Sequence, residues 1–426
     1  LLKNTTIIIN GLNIETDFVF QAVKDFLDFI NSSGVPVAII SPPCFPPSKP
    51  MSIMWSANFM TSKYLIFTAI ACTLYSCGQK NTNGNIENVS DTPSFANSIS
   101  QPLISQRFSA DPSAHVFDGK IFVYPSHDYD AGVPENDNGD HFAMKDYYIY
   151  SMDSIGGAVT DHGIALSVED VPWASNQLWA PDIAYKNGKY YFYFPARDKE
   201  GIFRIGVAEG SKPQGPFKAN PQPIKNSFSI DPAVFTDTDG KSYMYFGGIW
   251  GGQLQKWATG KFDATASATD LEKDDQPALA PKIAMLADNM TEFAEQPRDV
   301  KILDENGKEF LGGNHEKRFF EASWMHKYNG KYYFSYSTGD THLLCYAIGD
   351  NPYGPFTYQG VIMKPVIGWT THHSIVNANN KWFLFYHDTQ ISEGKTHLRN
   401  VKVTELKYDK DGKILEINPY AGATKQ

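Results

Sequence analysis

From about residue 105 onward, the chain repeats one pattern of hydrophobic and polar positions five times. Each copy has a hydrophobic segment, a tight turn of Gly, Asn or Asp, a lysine and an aromatic-rich segment. Two such segments around a turn that favours positive φ predict a β-hairpin. The copies are AHVFDGKIFVYPS, DIAYKNGKYYFYFPA, AVFTDTDGKSYMYFGG, SWMHKYNGKYYFSYS and SIVNANNKWFLFYHD, with turns at Asp118-Gly119, Asn187-Gly188, Asp239-Gly240, Asn329-Gly330 and Asn379-Asn380.

The spacing of the five hairpins predicts the fold. The chain between successive hairpins is long enough for two further strands, and four-stranded units repeated around an axis form a propeller. We therefore expect an all-β protein, a five-bladed β-propeller. The longest interval, before the fourth hairpin, contains TASATDLEKDDQ and KILDENGKEFLGGNHEKR. These two segments are predicted to form a surface insertion that overhangs the mouth of the axial channel.

The chain before the repeats predicts three segments. Residues 60–77, beginning at Met60, combine an early lysine, an apolar run and the box LYSC, which ends at Cys77. This pattern is typical of a lipoprotein signal peptide, with an ordinary buried strand as the alternative. Residues 1–59 are expected to be upstream sequence outside the natural product. Residues 78–104 are expected to be a flexible tether, and residues 105–426 the propeller. These predictions imply an exported protein that a lipid on Cys77 attaches to the outer membrane.

Charge and composition narrow the partners. The formal net charge is -10 and no basic run is present, so nucleic acid is not an expected partner. Aromatic residues make up 14% of the chain. They suit stacking on sugar rings, although a β-rich core would use many of the same residues.

A short polar signature precedes each hairpin at nearly the same offset from the turn. In a radial repeat, equal offsets place all five signatures at one end of the innermost strands, where they converge on the axis. The signatures are SADPSAH with Asp111, WAPDIA with Asp182, SIDPAVF with Asp231, FFEASW with Glu321, and TTHHSIV with His372 and His373.

A ring of carboxyl groups around one cavity suits general acid and base catalysis on a neutral substrate. Because like charges at short range raise one pKa, one acid can stay protonated beside an ionised one. Glu321 follows two phenylalanines and is the candidate proton donor, whereas Asp111 and Asp231 are candidates for ionised roles. An Asp before Pro is also a common turn former. Asp182 has a shorter offset, which favours a structural or hydrogen-bonding role.

These signatures, in this order, resemble glycoside hydrolase family 43 over about residues 105–420. The matching segments are ADPSAHVFDGKIFVYPS, WAPDIAYKNGKYYFYF, SIDPAVFTDTDGKSYMYFGG, FFEASWMHKYNGKYYFSYS and HHSIV. The resemblance implies an inverting glycosidase in which Asp111 is the general base, Asp231 tunes and orients the acid, and Glu321 is the general acid. Inversion requires acid and base roughly 6.5–9.5 Å apart, so that a water molecule fits between the base and the sugar.

The resemblance also implies residues that bind rather than react. His372, in preference to His373, would hold a water molecule or an axial cation, often calcium, although the chemistry requires no cofactor. Arg399 would contact the sugar. Trp179 and Trp173 would form the wall of the subsite, with a place in the core as the alternative for either ring.

The predicted substrate is an oligosaccharide or polysaccharide of plant hemicellulose or pectin. Together with the insertion, the loop DYDAGVPENDNGDHFAMKDY would narrow an open groove to a pocket, which favours removal of a terminal pentose. We expect β-D-xylosides first and α-L-arabinofuranosides second. Alternatives are an endo-arabinanase, a non-catalytic sugar-binding propeller at the cell surface, and a retaining five-bladed fructosidase. The fructosidases carry Arg-Asp-Pro, and QPRDV at 296–300 lacks that proline.

Overall fold

The computed structural model describes residues 6–9, 12–15, 93–269, 273–369 and 371–422. The chain divides into two compact units, Leu1–Asn88 and Val89–Gln426. In the first unit, β1 (Thr6–Ile9) and β2 (Leu12–Glu15) form an antiparallel hairpin. The predicted signal peptide, Cys77 and the tether up to residue 92 lie outside the described residues. In the part of the chain that is described, no helix is long and apolar enough to cross a membrane.

The second unit is a β-propeller of five blades, which confirms the predicted fold class. Blade I contains β3 (Ala110–Phe117), β4 (Lys120–Ser126), β5 (Asp146–Met152) and β6 (Thr160–Ser167). Blade II contains β7 (Ala174–Asn176), β8 (Asp182–Lys186), β9 (Lys189–Asp198), β10 (Phe203–Gly210) and β11 (Lys218–Ala219). Blade III contains β12 (Ala233–Thr236), β13 (Ser242–Phe246), β14 (Lys282–Met285) and β15 (Arg298–Asp299).

Blades IV and V complete the ring. Blade IV contains β16 (Ile302–Leu303), β17 (Glu321–Tyr328), β18 (Lys331–Ser337), β19 (Leu344–Gly349) and β20 (Phe356–Met363). Blade V has only three strands, β21 (Ser374–Ala378), β22 (Lys381–Asp388) and β23 (Asn400–Leu406). Short 3₁₀ helices lie in the connections, at Phe95–Asn97, Val168–Asp170, Trp250–Gly252, Leu254–Trp257 and Gly339–Thr341.

The predicted hairpins are all present, with one difference in turn geometry. In four of them both central residues have positive φ, as at Asp118 (51°) and Gly119 (77°). In the third hairpin Thr236 pairs with Ser242, so residues 237–241 form a five-residue loop instead of the predicted two-residue turn. This longer loop places Asp237, its first residue, beside blade IV, where the carboxylate accepts a hydrogen bond from Lys327 (2.9 Å).

Alternating side chains on the strands build the core at the five interfaces between blades. On β9, Tyr191 and Tyr193 face blade III, whereas Phe192 and Phe194 face blade I. The same period-2 division produces one apolar cluster at every blade junction. Each fully buried aromatic ring removes a large apolar area from water, so the aromatic-rich second strands hold neighbouring blades together.

Two predictions about chain segments require correction, the extent of the tether and the position of the insertion. Residues 93–104, assigned to the tether, pack on blade V: the Leu103 N–H donates to the Val401 carbonyl (2.7 Å), and Ile104 is fully buried. The insertion does not cover the mouth, because no described residue of its two segments lines the cavity that contains the carboxyl ring. Instead, β16 pairs in parallel with β20, so part of the insertion extends the outer edge of blade IV.

Candidate active site

The signatures that precede the hairpins do converge, at the end of the axis where the inner strands begin. Asp111 and Glu321 lie in the first residues of β3 and β17, and Asp231 and His372 lie two residues before β12 and β21. All four line one cavity of about 290 Å³, together with Arg399. Its remaining wall comes from Glu135, Asn136, Asp137, Gly139, His141, Phe142, Met144, Trp179, Ala180, Ile230, Ile249, Trp250, Gly251, Gly252, Phe320, Trp369 and Thr396.

Local backbone geometry turns the acids toward the axis. Asp111 (φ 49°), Asp231 (φ 57°) and Ala322 (φ 63°), which follows Glu321, are all in the left-handed region. The pairing of β3 with β4 and of β17 with β18 shifts register at the same points. Non-glycine residues in this conformation cost free energy and occur mainly where function demands them. A bulge at the start of an inner strand therefore aims a side chain that regular pairing would direct to a blade interface.

Asp111 is held as an ionised carboxylate. Its Oδ1 accepts from Arg399 Nη1 (2.8 Å), its Oδ2 accepts from Ser126 Oγ (2.7 Å), and its backbone N–H donates to His387 Nδ1 (2.9 Å). Burial opposes the charge, but Arg399, His387, His372 and the Ser126 hydrogen bond together lower the pKa of Asp111 below its ordinary value. The ionised role predicted for Asp111 agrees with this environment.

Glu321 and Asp231 hold their protons more tightly than ordinary carboxyl groups do. Burial, followed by the charge of Asp111, raises the pKa of Glu321 to about 8, against the effect of Arg399. Burial, Glu321 and Asp111 also raise the pKa of Asp231 well above its usual value, although the Ala322 N–H donates to its Oδ2 (2.9 Å). The expectation of an ionised Asp231 is therefore corrected: two adjacent carboxyl groups share the tendency to stay protonated.

The two histidines of the fifth signature have different environments. His372 lines the cavity, and its Nδ1 is 3.8 Å from both Asp111 Oδ1 and Asp231 Oδ2. Burial lowers the pKa of His372 to about 4, so the ring is neutral at neutral pH. His373 is buried, and its Nε2 bonds to Ser335 Oγ (2.6 Å). Of the pair, His372 is the one at the site.

A directly ligated calcium ion does not fit this set of side chains. Calcium takes six to eight oxygen ligands, whereas both oxygens of Asp111 already accept hydrogen bonds and His372 offers a nitrogen. Among the described residues, no group of three or more His, Cys, Asp or Glu side chains is arranged to hold a metal ion.

Arg399 is buried and locked in place by a carboxylate that the sequence analysis missed. Asp128 accepts from Arg399 Nε (2.8 Å) through Oδ2 and from Nη2 (2.8 Å) through Oδ1, and the guanidinium lies 4.9 Å from the centre of the Phe142 ring. A usable signal was present, because a His-Asp pair lies at or just beyond the end of the second strand in both blade I and blade V, in PSHD and FYHD.

The two tryptophans that were predicted to form the subsite wall lie in different places. Trp179 lines the cavity, and its Nε1 donates to the Phe142 carbonyl (2.7 Å). Trp173 lies in the core between blades I and II, with its ring stacked on Phe194 at 6.1 Å, and does not line the cavity. The predicted subsite role of Trp173 is corrected, because pairing of the adjacent β7 with β9 directs this ring into the core.

Two tryptophans that the sequence analysis did not single out line the cavity instead. Trp250 and Trp369 stack with their centroids 5.5 Å apart, and Trp250 also contacts Phe320. They lie in connections of blades III and V that do not repeat. Trp369 stands three residues before His372, and that proximity was the available signal.

Asp182 has the structural role that its offset favoured. Its Oδ1 contacts Ser113 Oγ (2.5 Å) and His115 Nε2 (2.6 Å), and its Oδ2 accepts from the Val234 N–H (2.5 Å). The side chain is almost fully buried and ties blades I, II and III together around the axis. It does not line the catalytic cavity.

An ionised carboxylate and a protonated one facing a single aromatic-lined cavity define an acid–base glycoside hydrolase. The sequence matches the profile of glycosyl hydrolases family 43 over residues 159–414. The chain belongs to glycoside hydrolase family 43, whose enzymes are inverting glycosidases. Blade I, which carries Asp111, precedes the matched range.

Individual relatives extend the match over blade I. The chain is 61% identical over 316 residues to a xylosidase/arabinosidase of Bacteroides ovatus, which covers 74% of this chain and 96% of that protein. It is 60% identical over 324 residues to xylosidase/arabinosidase 43A of Humicola insolens, with 75% and 99% covered.

A solved structure shows the same fold. It is a β-xylosidase/α-arabinofuranosidase of this family from a compost microbial metagenome, in complex with xylotriose and in a calcium-free form. Its TM-score with this chain is 0.75 at 65% identity, and the match covers 76% of this chain and 98% of that one.

Proposed function

We propose that the protein removes terminal pentose units from hemicellulose or pectin oligosaccharides with inversion of configuration. β-D-Xylosides are the first substrate class and α-L-arabinofuranosides the second. The observation that carries this proposal is the opposite displacement of two pKa values at one cavity, downward at Asp111 and upward at Glu321. The printed names of the relatives from Bacteroides ovatus and Humicola insolens support the choice of sugars.

In the proposed reaction, Asp111 takes a proton from the attacking water as that water adds to the anomeric carbon. Glu321 gives its proton to the departing glycosidic oxygen. Each assignment follows from the protonation state that the surroundings favour near neutral pH. Burial and the charge of Asp111 raise the proton affinity of Glu321. Asp231 accepts a hydrogen bond from the N–H of Ala322, the residue after Glu321, and so helps to orient the acid. Activity should therefore decline on the alkaline side near pH 8, where the Glu321 proton is lost.

Removal of a terminal sugar is supported by the form of the cavity wall. The blade I loop from Glu135 to Met144 closes one side, and Trp250 and Trp369 close another. Glu135 Oε1 also accepts from Thr396 Oγ1 (2.5 Å), which joins the loops of blades I and V. An enzyme that cleaves within a chain needs a groove open at both ends, and wall segments from blades I, III and V around the acids suit a pocket for one terminal sugar.

The proposal includes export and a lipid on Cys77 that attaches the enzyme to the outer membrane. The support is the apolar run and the LYSC box in residues 60–77. Metabolic labelling of the bacterium that makes the protein with a palmitate analogue, followed by capture of the enzyme, tests this step. A Cys77→Ala variant that still carries the label would contradict it.

An axial calcium ion enters the proposal only as a hydrated ion beside His372, whose neutral imidazole can accept a hydrogen bond from a water molecule of the hydration shell. Turnover and Tm measured in EDTA and in calcium chloride test this point. Equal values under both conditions would remove the ion from the proposal.

Proton NMR of the anomeric signal tests the reaction itself. The enzyme is incubated with 4-nitrophenyl β-xyloside and, separately, with 4-nitrophenyl α-L-arabinofuranoside. We expect initial release of α-xylose from the xyloside. Release from the arabinoside alone would change the assigned substrate to arabinofuranosides and leave the inverting mechanism in place. A retained anomer would overturn the mechanism. No release from either would favour the sugar-binding alternative or a need for longer chains.

A further inference from the structure

Asp128 lies just outside the catalytic cavity, and both oxygens of its carboxylate accept hydrogen bonds from Arg399. It follows β4 by two residues, and its side chain is fully buried. Its Oδ2 accepts from the backbone N–H (2.9 Å) and Nε (2.8 Å) of Arg399, and its Oδ1 accepts from Nη2 (2.8 Å). Paired hydrogen bonds along one edge of a guanidinium fix its plane as well as its position.

This arrangement leaves one terminal nitrogen of Arg399 directed at the general base. Nη1 donates to Asp111 Oδ1 at 2.8 Å, whereas the Nε and Nη2 edge belongs to Asp128. Asp128 does not line the cavity, so any effect it has on the reaction passes through Arg399. A second acid so near Asp111 would by itself oppose ionisation of the base. The Asp128–Arg399 pair can therefore favour ionisation of Asp111 only if the position that Asp128 gives Arg399 outweighs the negative charge that Asp128 adds.

We propose that Asp128 is a positioning residue for the hydrolysis, which fixes Arg399 so that Nη1 holds the carboxylate of Asp111 ionised and oriented toward the attacking water. This inference rests on the proposed function, because it assigns Asp111 the role of base. A second buried Asp that follows a His near the end of a second strand provides a comparison: Asp388 of blade V binds the buried Lys402 Nζ at 2.6 Å and does not line the cavity.

The test must separate the two effects of removing Asp128. Asp111 is faced by groups from several blades, and among them Arg399 is the one held by three hydrogen bonds to Asp128. These groups are the guanidinium of Arg399, the imidazoles of His372 and His387, the hydroxyl of Ser126 as a hydrogen-bond donor, the nearby Tyr147, and Asp231 and Glu321, whose own pKa values the charge of Asp111 raises. If Asp128 acts as a charge alone, Asp128→Asn moves the acidic limb of kcat/KM to lower pH. If it positions Arg399, the limb moves to higher pH.

We expect Asp128→Asn to lower kcat by about 10²-fold, as displacement of a catalytic group by about 1 Å does, and to move the acidic limb upward. Arg399→Lys keeps the positive charge but removes the paired guanidinium hydrogen bonds to Asp128. It should move the acidic limb of kcat/KM in the same direction. Because both substitutions break one unit, the double variant should show less than the sum of their effects. An acidic limb that moves downward, or fully additive losses, would overturn the proposal.

Asp388→Asn is the matched control. It removes a buried acid from the His-Asp pair of blade V, so it should lower Tm and leave the acidic limb where it is. An equal upward shift of that limb in Asp388→Asn would show that any buried acid of this kind has the same effect, and the positioning role would fail.

A readout without turnover separates this proposal from the proposed function. Infrared difference titration of enzyme containing ¹³C-labelled aspartate, with Asp111→Asn as reference, reports the ionisation of Asp111 directly. If the wild-type enzyme hydrolyses no pentoside yet Asp128→Asn raises the titration point of Asp111, the proposed function fails and the positioning of Arg399 stands. An unchanged titration point would reject the positioning whatever the activity.

Discussion

The two ends of the propeller axis differ in a way that volume does not predict. At one end, where the inner strands begin, a cavity of about 290 Å³ contains Asp111, Asp231 and Glu321. At the other end, the last residues of the same strands surround a cavity of about 460 Å³. The larger cavity is lined by groups such as Tyr185 and Lys327, and nothing about it resembles a reaction centre. The arrangement of charge, rather than size, identifies the site.

A group of polar side chains at the far end pair with one another. Lys327 Nζ donates to Asp237 Oδ1 (2.9 Å) and to the Tyr332 hydroxyl (3.0 Å). Burial opposes ionisation of Asp237, but hydrogen bonds from Tyr332 and Lys327 lower its pKa below the ordinary value. At the catalytic end, three carboxyl groups face one buried arginine. An excess of like charge is costly for stability and useful for catalysis, and it marks functional sites.

The largest effect is expected from a substitution that removes the proton donor at the catalytic end. Glu321→Gln removes the proton donor and keeps the shape of the side chain. We expect kcat on xylo-oligosaccharides to fall about 10²–10⁴-fold, with a smaller loss on 4-nitrophenyl xyloside, because that leaving group needs little protonation. Steady-state kinetics on both substrates measure the difference. Equal losses on the two would argue against Glu321 as the acid.

A substitution at the far end should lower stability and leave activity unchanged. Ile375 is buried, lines the far cavity and packs in the core between blades IV and V. Ile375→Ala should lower the free energy of unfolding by about 2–5 kcal/mol, and Ile375→Val by about 0.5–1.5 kcal/mol. Activity per folded molecule should stay at the wild-type value. Denaturant unfolding and kinetics on the same samples decide whether the two ends are independent.

The pH dependence of stability should also differ between the ends. The pKa of Glu321 is raised in the folded protein to about 8, so above about pH 4.5 the unfolded chain ionises this group while the fold keeps it protonated. The free energy of unfolding of the wild type should therefore fall relative to Glu321→Gln as pH rises from about 4.5 to about 8.

The control for this pH dependence is Asp237→Asn at the far end. The pKa of Asp237 is lowered in the fold, so its contribution is present above its ordinary pKa and is lost only as pH falls through the folded value. Between pH 5 and pH 8 the difference from wild type should stay constant. A Glu321→Gln difference that is equally flat over this range would contradict the raised pKa.

The smallest effect concerns the polar contacts around the far cavity. Lys327→Met removes the partner of Asp237 and keeps most of the apolar stem. Because such a pair at a partly exposed position adds little stability, Tm should fall by about 2–4 °C or less. Activity should not change. A large loss of activity would mean that the two ends communicate along β17, which carries both Lys327 and Glu321.

Repetition made part of the site predictable. Asp111, Asp231, Glu321 and His372 were found because each precedes a recognisable hairpin, and the structure brings all four to one cavity. Trp250 and Trp369 were missed because they lie in connections with no common length or composition, and the His-Asp pair that contains Asp128 recurs in only one other blade. The error over Trp173 has a related cause: a tryptophan near a signature faces the cavity or the core according to the pairing of the short strand β7.

Within the chain itself, local patterns determined the hairpins, the number of blades and the end of the axis at which the acids gather, since turn chemistry and side-chain alternation act over a few residues. Only the tertiary structure decided which acids ionise. The lowered pKa of Asp111 depends on Arg399, which is 288 residues away in sequence and donates to Asp111 at 2.8 Å. Ionisation depends on burial and on distances between charges, and closure of the ring by blades I and V sets both.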